Sequence, residues 1–571
     1  MKRRQFLSLL LVAALFLSPA ISLAQQNNSP ELKPKVSDAE STEKAYALLE
    51  SLAAQISTLQ SPENRARIGS NIAASVWTHD EKRARALFIA VGEDINSGLQ
   101  RYETEDRSEE TNTLMVFLHL RENTIDRIAK YDPEFAFDFL KATEVSFKDP
   151  PEDVVEKERS LTLRLAKQVA AANPDLALRL GRKSLDQGFS ENLLSVLRLL
   201  HRKHREQGVT LYKETVRKLQ NTKFKQNWML MNFARRLAEL TPPLTDEMAF
   251  RELMNTLMTI ALASKCDKEN SDWDINYFCQ QLGGIVSQME KIDPVRAAKL
   301  KHLESESSWG PNVESELDEL IQARDYDEIL ALAERNPASK NSIYWRAFQL
   351  AKSTGDLERA RKIANALSSN PEMQQELLIK VESAEQSKKL SEGELEGILK
   401  EAEKEGRLKD RLSNLLAAAI HMGSKDRSAA LKLFDRANEL SEGLKVDNER
   451  TQVKAFLAML YCMEKSDRGF AIMEELMPKL NELIEAAAKL DGFDMKYLRD
   501  GEWNMSSNGT LGRLLTELSE NAGYFAWCDF DRAVNMASQL QRTEIRMMAQ
   551  LKLAQAILGG PPKRYSLKGY E

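Results

Sequence analysis

The sequence has no convincing run of alternating apolar and polar residues, and no segment after the first two dozen residues reaches 18 consecutive apolar positions. The first lack argues against a sheet-based fold, the second against a transmembrane helix in the mature chain. Also missing are HExxH, a P-loop, a glycine fingerprint following a strand and a GxSxG elbow. No catalytic, cofactor-binding or metal-ligating residue is therefore assigned, and the expectation is a protein that is not an enzyme and carries no cofactor. Aromatic residues make up 7% and Trp or Tyr does not cluster beside Asp or Glu pairs. An (α/α)-type envelope enzyme acting on polysaccharide, which needs paired carboxylates along an aromatic-lined cleft, is thereby only the alternative. The 80 basic and 86 acidic residues leave a net charge of −6. That balance argues against a nucleic-acid partner, which would call for a concentrated basic face.

The chain is several times the usual domain size, so several domains or a repeat array is expected. Residues 1–24 read as a signal peptide. Lys2, Arg3 and Arg4 are followed by the apolar FLSLLLVAALFL, and Ser22 and Ala24 stand before a cut at Gln25. Losing those three cations takes the charge from −6 to −9. The RRQFL stretch is compatible with twin-arginine export and the general secretory route stays open, so the expected location is periplasmic or secreted. Residues 25–38, polar with two prolines, read as a flexible leader.

From Ala39 onward the apolar spacing is helical; Leu161, Leu165 and Val169, for example, fall on one stripe. One pattern recurs: Asp or Asn, Ala four residues on, and an apolar residue seven on. It occurs at Asp80/Ala84/Leu87, Asp132/Ala136/Phe139, Asn173/Ala177/Leu180, Asp293/Ala297/Leu300, Asp356/Ala360/Ile363, Asp426/Ala430/Leu433 and Asp529/Ala533/Met536, with a partial copy at Asp467/Ala471. The first residue is a good N-cap, and Pro133, Pro174 and Pro294 suit the first helical position. Ala and the apolar residue lie three apart on one face, where a small side chain admits a close neighbour. Each copy thus reads as the second helix of a hairpin. Two copies 41 residues apart, Asp132 and Asn173, match the length of two helices and two turns. The expected fold is all-α, helical-hairpin repeats stacked as an α-solenoid in two halves, 39–303 and 316–558. A linker is expected at 304–315 and a flexible tail at 559–571, while GVTLYKETV at 208–216 reads as a helix start.

LAKSTGDLERARKIANAL at 350–367 resembles the core of a tetratricopeptide-type repeat, with Gly355 in the turn, Ala360 at close packing and Ala364 one turn on. Upstream, Tyr344, Ala347, Phe348 and Ala351 stand where that family has Trp, Leu-Gly and Tyr. The resemblance is to the wider superfamily of helical-hairpin solenoids, and it implies a binder of peptides or proteins without naming a ligand.

Three further features bear on function. The irregular stretch 491–510 offers Tyr497, Trp503 and Asn508 as a candidate binding loop, against the plainer reading in which Trp503 packs on a helix. In HRKHR, His201 and His204 sit among Arg198, Arg202, Lys203 and Arg205, which would repel a metal cation. Continued by Lys213, Arg217, Lys218, Lys223 and Lys225, this run is either an ordinary charged face or one that meets an acidic partner or anionic surface. Four cysteines allow three pairings, of which Cys266 with Cys279 is the candidate disulfide, while buried thiols are expected for Cys462 and Cys528. The expected role is an exported scaffold in the cell envelope that binds an unidentified protein or peptide, or else a structural module of a cell-wall assembly.

Overall fold

A computed structural model describes residues 38–560 except for internal stretches, of which 223–227, 241–246, 264–278 and 302–316 are the longest. The signal, most of the leader, the 304–315 linker and nearly all of the tail lie outside the described residues. The described chain is all-α apart from one two-stranded hairpin.

In chain order the helices are α1 (Asp38–Gln55), α2 (Pro62–Val76), α3 (Glu81–Thr104), α4 (Arg107–Ala129), α5 (Pro133–Ala142), α6 (Glu152–Val169), α7 (Pro174–Gln187), α8 (Glu191–Lys203), α9 (Arg205–Gln220), α10 (Trp228–Ala238), α11 (Glu247–Ala263), α12 (Val286–Ile292) and α13 (Pro294–Ala298). There follow α14 (Tyr326–Arg335), α15 (Lys340–Ser353), α16 (Leu357–Ala366), α17 (Pro371–Glu392), α18 (Leu395–Glu403), α19 (Leu408–Gly423), α20 (Arg427–Ser441), α21 (Asp447–Glu464) and α22 (Ser466–Lys489). Strands β1 (Leu498–Arg499) and β2 (Glu502–Trp503) precede α23 (Thr510–Glu520), α24 (Gly523–Cys528), α25 (Phe530–Ala537) and α26 (Thr543–Leu558). The stretch read as a helix start at 208–216 falls inside α9.

Two compact units result, one formed by residues 88–315 and the other by residues 1–87 together with 316–571. The division differs from the halves expected from sequence, because 39–87 packs with the C-terminal part of the chain. In the mid-chain unit helices pack on a neighbour, as α6 on α7 and α8 on α9, and on the next but one: α4 on α6, α6 on α8, α8 on α10, and likewise α7 on α9 and α9 on α11. This alternation makes two layers, the packing of a solenoid. In the two-segment unit the series α14 to α17 and α19 to α22 stacks in the same sequential way, and α1 and α2 pack against α26. The physical reason is that the last hairpin would otherwise leave an apolar face open; Leu551 and Ala554 of α26 and Leu49, Leu52 and Ile72 of the first two helices are fully buried or nearly so.

All seven alanines of the repeated pattern are buried, with at most 1% of their surface exposed, and so are all seven apolar partners. All seven Asp or Asn side chains accept a hydrogen bond from an amide in the first turn of the helix they precede. One geometry underlies six of them; at Asp356 the N–H donates instead to the Ala351 carbonyl, five residues back, after the Gly355 turn. The cap residue, near φ −140° at Asp132, Asn173 and Asp426, turns the chain from one helix into the next. Its N–H donates to the carbonyl four residues back, as from Asp132 to Ile128 and from Asn173 to Val169. Its own carbonyl accepts from the small residue four on, Ala136 or Ala177. So sharp a corner lays the second helix across the last turn of the first, which leaves room for little more than a methyl group there.

Two corners that the Asp/Ala pattern does not identify have the same backbone. His204 and Lys465 occupy the cap position, and Gly208 and Gly469 the close one. A Cβ on Gly469 would lie 2.6 Å from the Ala458 carbonyl and the Cys462 amide. The partial copy at Asp467 is therefore corrected. The helix starts two residues earlier, Ala471 is exposed, and the close-packing residue is Gly469. At the tetratricopeptide-like hairpin, α15 and α16 meet through Gly355 at φ 76°, a left-handed conformation that glycine adopts without strain.

Candidate functional site

The loop singled out in the sequence is a structural clasp. After α22, the Asp491 carboxylate accepts from the amides of Tyr497 (2.5 Å) and Leu498 (2.8 Å), which shapes the approach to the β1–β2 hairpin. Glu502 then reaches the start of α2, accepting from the Gln60 amide at 2.6 Å, the Ser61 amide at 3.2 Å and Asn64 Nδ2 at 3.0 Å. A carboxylate placed at a helix N-terminus pairs with otherwise orphaned amides and with the positive end of the helix dipole. Arg499 pairs with the buried Glu63, which also holds Arg67. Trp503 is 3% exposed, stacks at a tilt on Tyr497 with 5.6 Å between ring centres, and donates its backbone N–H to Glu544 at 2.7 Å. Tyr497 is half-buried in the same cluster and Asn508 lies outside the described residues. Trp503 and Tyr497 are thus committed to holding α2 and α26 together and do not form a free binding surface. Sequence reasoning could have found Glu502 only by pairing residues more than 430 positions apart, for which one sequence carries no signal.

The cysteines divide into two kinds. Cys279 is disulfide-bonded and Cys266 lies outside the described residues. Cys462 and Cys528 are free and buried, with Cys528 Sγ 2.8 Å from the Cys462 carbonyl oxygen. Burial, and then the contact with the Cys528 thiol, push the Cys462 thiol far above its ordinary range, so it is an inert core thiol. Among the described residues no group of three His, Cys, Asp or Glu is arranged to hold a metal ion. A surface cleft of about 410 Å³ between α1 and α25, lined by Lys44, Leu48, Phe530 and Asp531 among others, is closed at one side by the Lys44–Asp531 ion pair at 2.7 Å.

What stands out is the His204 corner between α8 and α9. His204 makes no side-chain cap; its Nε2 lies 3.1 Å from the Ala171 carbonyl oxygen instead. His201, one turn before, is 7% exposed, and its Nε2 has no hydrogen-bond partner among the described residues. Burial and, second, the Arg205 charge hold its pKa below the ordinary histidine value, which keeps the ring neutral. Gly208 allows the ring its place, since a Cβ there would lie 2.7 Å from both the backbone N and Nδ1 of His201. Around the corner Arg198, Arg202, Lys203 and Arg205 are exposed, with no ion pair or hydrogen bond from their side chains among the described residues. Glu206 is exposed beside them. Farther along α9, Lys218 donates to the Leu185 carbonyl and Arg217 is exposed, while Lys223 and Lys225 fall outside the described residues. His201 is thus buried against the fold and neutral, while the half-buried His204 is bonded to backbone. The basic run is concentrated at a helix start that lacks the usual acidic cap.

No helix among the described residues is long and apolar enough to cross a membrane. No family model matches the chain, and no curated protein matches its sequence. Among solved structures the chain is similar to a circular tandem repeat protein with novel repeat topology and enhanced subunit contact surfaces. The identity is 14%, the match covers 92% of this chain and 100% of that one, and the TM-score is 0.20.

Proposed function

We propose that the chain is an exported, non-enzymatic helical-repeat scaffold that binds a protein or peptide segment in the cell envelope. The observation that supports this reading is the recurrence of one corner. The same kind of capped junction recurs between helix and helix, and such an array offers partners a preorganised surface. Most corners have their polar groups satisfied internally, and the one at His204 presents unpaired cations to solvent. The N-terminal lysine and arginines followed by an apolar run support export.

The test is site-specific photo-crosslinking in the producing cell. A photoreactive residue replaces Lys203, the cell is fractionated, and crosslinked species are identified by mass. The reading expects the mature chain, cut near Ala24, in the envelope or exported fraction and joined to a discrete protein. Retention in the cytoplasm, or cleavage of envelope polysaccharide by the purified chain, would overturn it.

A further inference from the structure

We infer that the α8–α9 corner is a docking surface for a carboxylate-rich segment of a partner protein; this deepens the scaffold reading and rests on it. The first observation is a contrast within the mid-chain unit. Every other arginine there whose side chain is described has a partner, as Arg164 has Glu122 and Asp126, Arg179 has Glu134 and Arg236 has Glu191. Those without one are Arg198, Arg202, Arg205 and Arg217, and the first three lie within eight residues of one another across the corner. A fold that pairs its arginines so consistently leaves these exposed together, and holding like charges close costs stability unless an anion joins them.

The second observation is the helix start. Where seven other corners place an Asp or Asn, His204, like Lys465, leaves the first amides of its helix without a side-chain acceptor, and α9 is a helix of 16 residues. The positive end of the helix dipole adds to the field of Arg205, the first residue of α9. The third is His201, more than nine-tenths buried beneath the corner, with Nε2 unpartnered among the described residues. Neutral at pH 7, its ring adds no further repulsion between the cations.

The geometry fits an extended acidic segment. Arg198 and Arg202 are one helical turn apart, about 5 to 6 Å, and alternate side chains of an extended chain project on one side about 6.6 Å apart. Each planar guanidinium takes a carboxylate through two parallel hydrogen bonds. None of the exposed large apolar side chains lies between residues 190 and 220, so the surface lacks the groups that would anchor it in a bilayer.

The experiment uses the full mature chain and a fluorescein-labelled hexaglutamate peptide, read by fluorescence anisotropy from low to physiological salt. The triple variant R198E/R202E/R205E and the milder R202Q/R205Q are compared with K432E/K445E/K496E, which carries the same charge change as the triple variant on exposed lysines of the two-segment unit. Circular dichroism first establishes that each is folded. Wild type and the lysine control should bind the peptide with an affinity that falls as salt rises, the triple variant at least about tenfold more weakly and R202Q/R205Q in between. Equal binding by triple variant and control, or no binding by wild type at low salt, overturns the assignment. So does binding to vesicles of anionic phospholipid without binding to the peptide. Should the photo-crosslinked partner bind the triple variant as well as wild type, the scaffold reading stands and the acidic-segment assignment falls.

Discussion

The two units solve the same problem in opposite ways. In the mid-chain unit, side chains reach partners about one hairpin away: Arg182 to Glu214 spans 32 residues and Arg179 to Glu134 spans 45. In the two-segment unit, Lys44 reaches Asp531 across 487 residues, and Glu63 meets Arg499 across 436. A stack of hairpins has two apolar ends. The first unit is built almost wholly from sequential contacts, whereas the second covers the face of its last hairpin with the first one in the chain. The local unit can form as it is extended, while the other must wait for its far end and pays the entropy of closing a long loop.

The sharpest way to break this comparison is at the clasp. Trp503→Ala empties a buried site between α2 and α26 and should cost about 3 to 5 kcal/mol. Urea unfolding followed by circular dichroism should show the loss confined to the two-segment unit, with protection of mid-chain amides from hydrogen exchange unchanged. Simultaneous loss of protection in both units would show that they do not fold separately.

The mid-chain counterpart is Arg121, fully buried, which donates to Thr143 Oγ1 at 2.8 Å, to the Leu140 carbonyl at 2.9 Å and to Glu158. Burial pushes the Glu158 carboxyl above its ordinary range, and the Arg121 charge opposes that rise. Arg121→Met leaves this half-buried carboxylate without its arginine, at an expected cost of about 3 kcal/mol near neutral pH. A carboxyl whose folded pKa is raised contributes stability below its unfolded value and loses it as pH rises through the folded one. The deficit should therefore shrink as pH falls from neutral and Glu158, its pKa raised, takes up a proton. A deficit in urea midpoint that is independent of pH would mean that the charge is not its cause.

A smaller effect tests what the units share. Gly208→Ala and Gly469→Ala each place a methyl against the backbone of the preceding helix and should destabilise by about 1 to 3 kcal/mol, one in each unit. At Gly355, where a Cβ meets nothing within 4 Å, the cost of alanine comes from the left-handed φ alone and should be nearer 1 kcal/mol. Melting curves that rank Gly355 first would contradict the close-packed corner. The smallest effect is a pH dependence confined to the mid-chain unit. His201 has a depressed pKa, so its contribution is present above the unfolded value near 6.5 and is lost as pH falls toward the folded one. His201→Gln should flatten the decline of that unit's melting temperature between pH 7.5 and 5.5; an unaltered slope would assign the decline to other groups.

Much of this was legible before any coordinates. The Asp or Asn caps, the close alanines and their apolar partners at seven corners follow from helix chemistry within eight residues, and at all seven the structure shows the expected burial and capping. The corners at His204 and Lys465 escaped because glycine replaces alanine and the cap is not acidic, so the backbone repeats while the letters do not. The aromatic loop left both of its readings open for another reason. An irregular polar stretch with an aromatic residue looks the same whether it faces solvent or clasps two helices, and Trp503 does the second.

The sequence by itself determined the all-α class, where most helices start, and which faces they bury, because caps and helical periodicity act over one or two turns. Only the tertiary structure decided that residues 39–87 belong with the C-terminal helices, that Glu502 caps α2, and that the arginines around His204 are left without carboxylates. Those outcomes depend on which surfaces meet after hundreds of intervening residues have stacked, and burial and charge pairing at such distances are properties of the packed chain that no local pattern encodes.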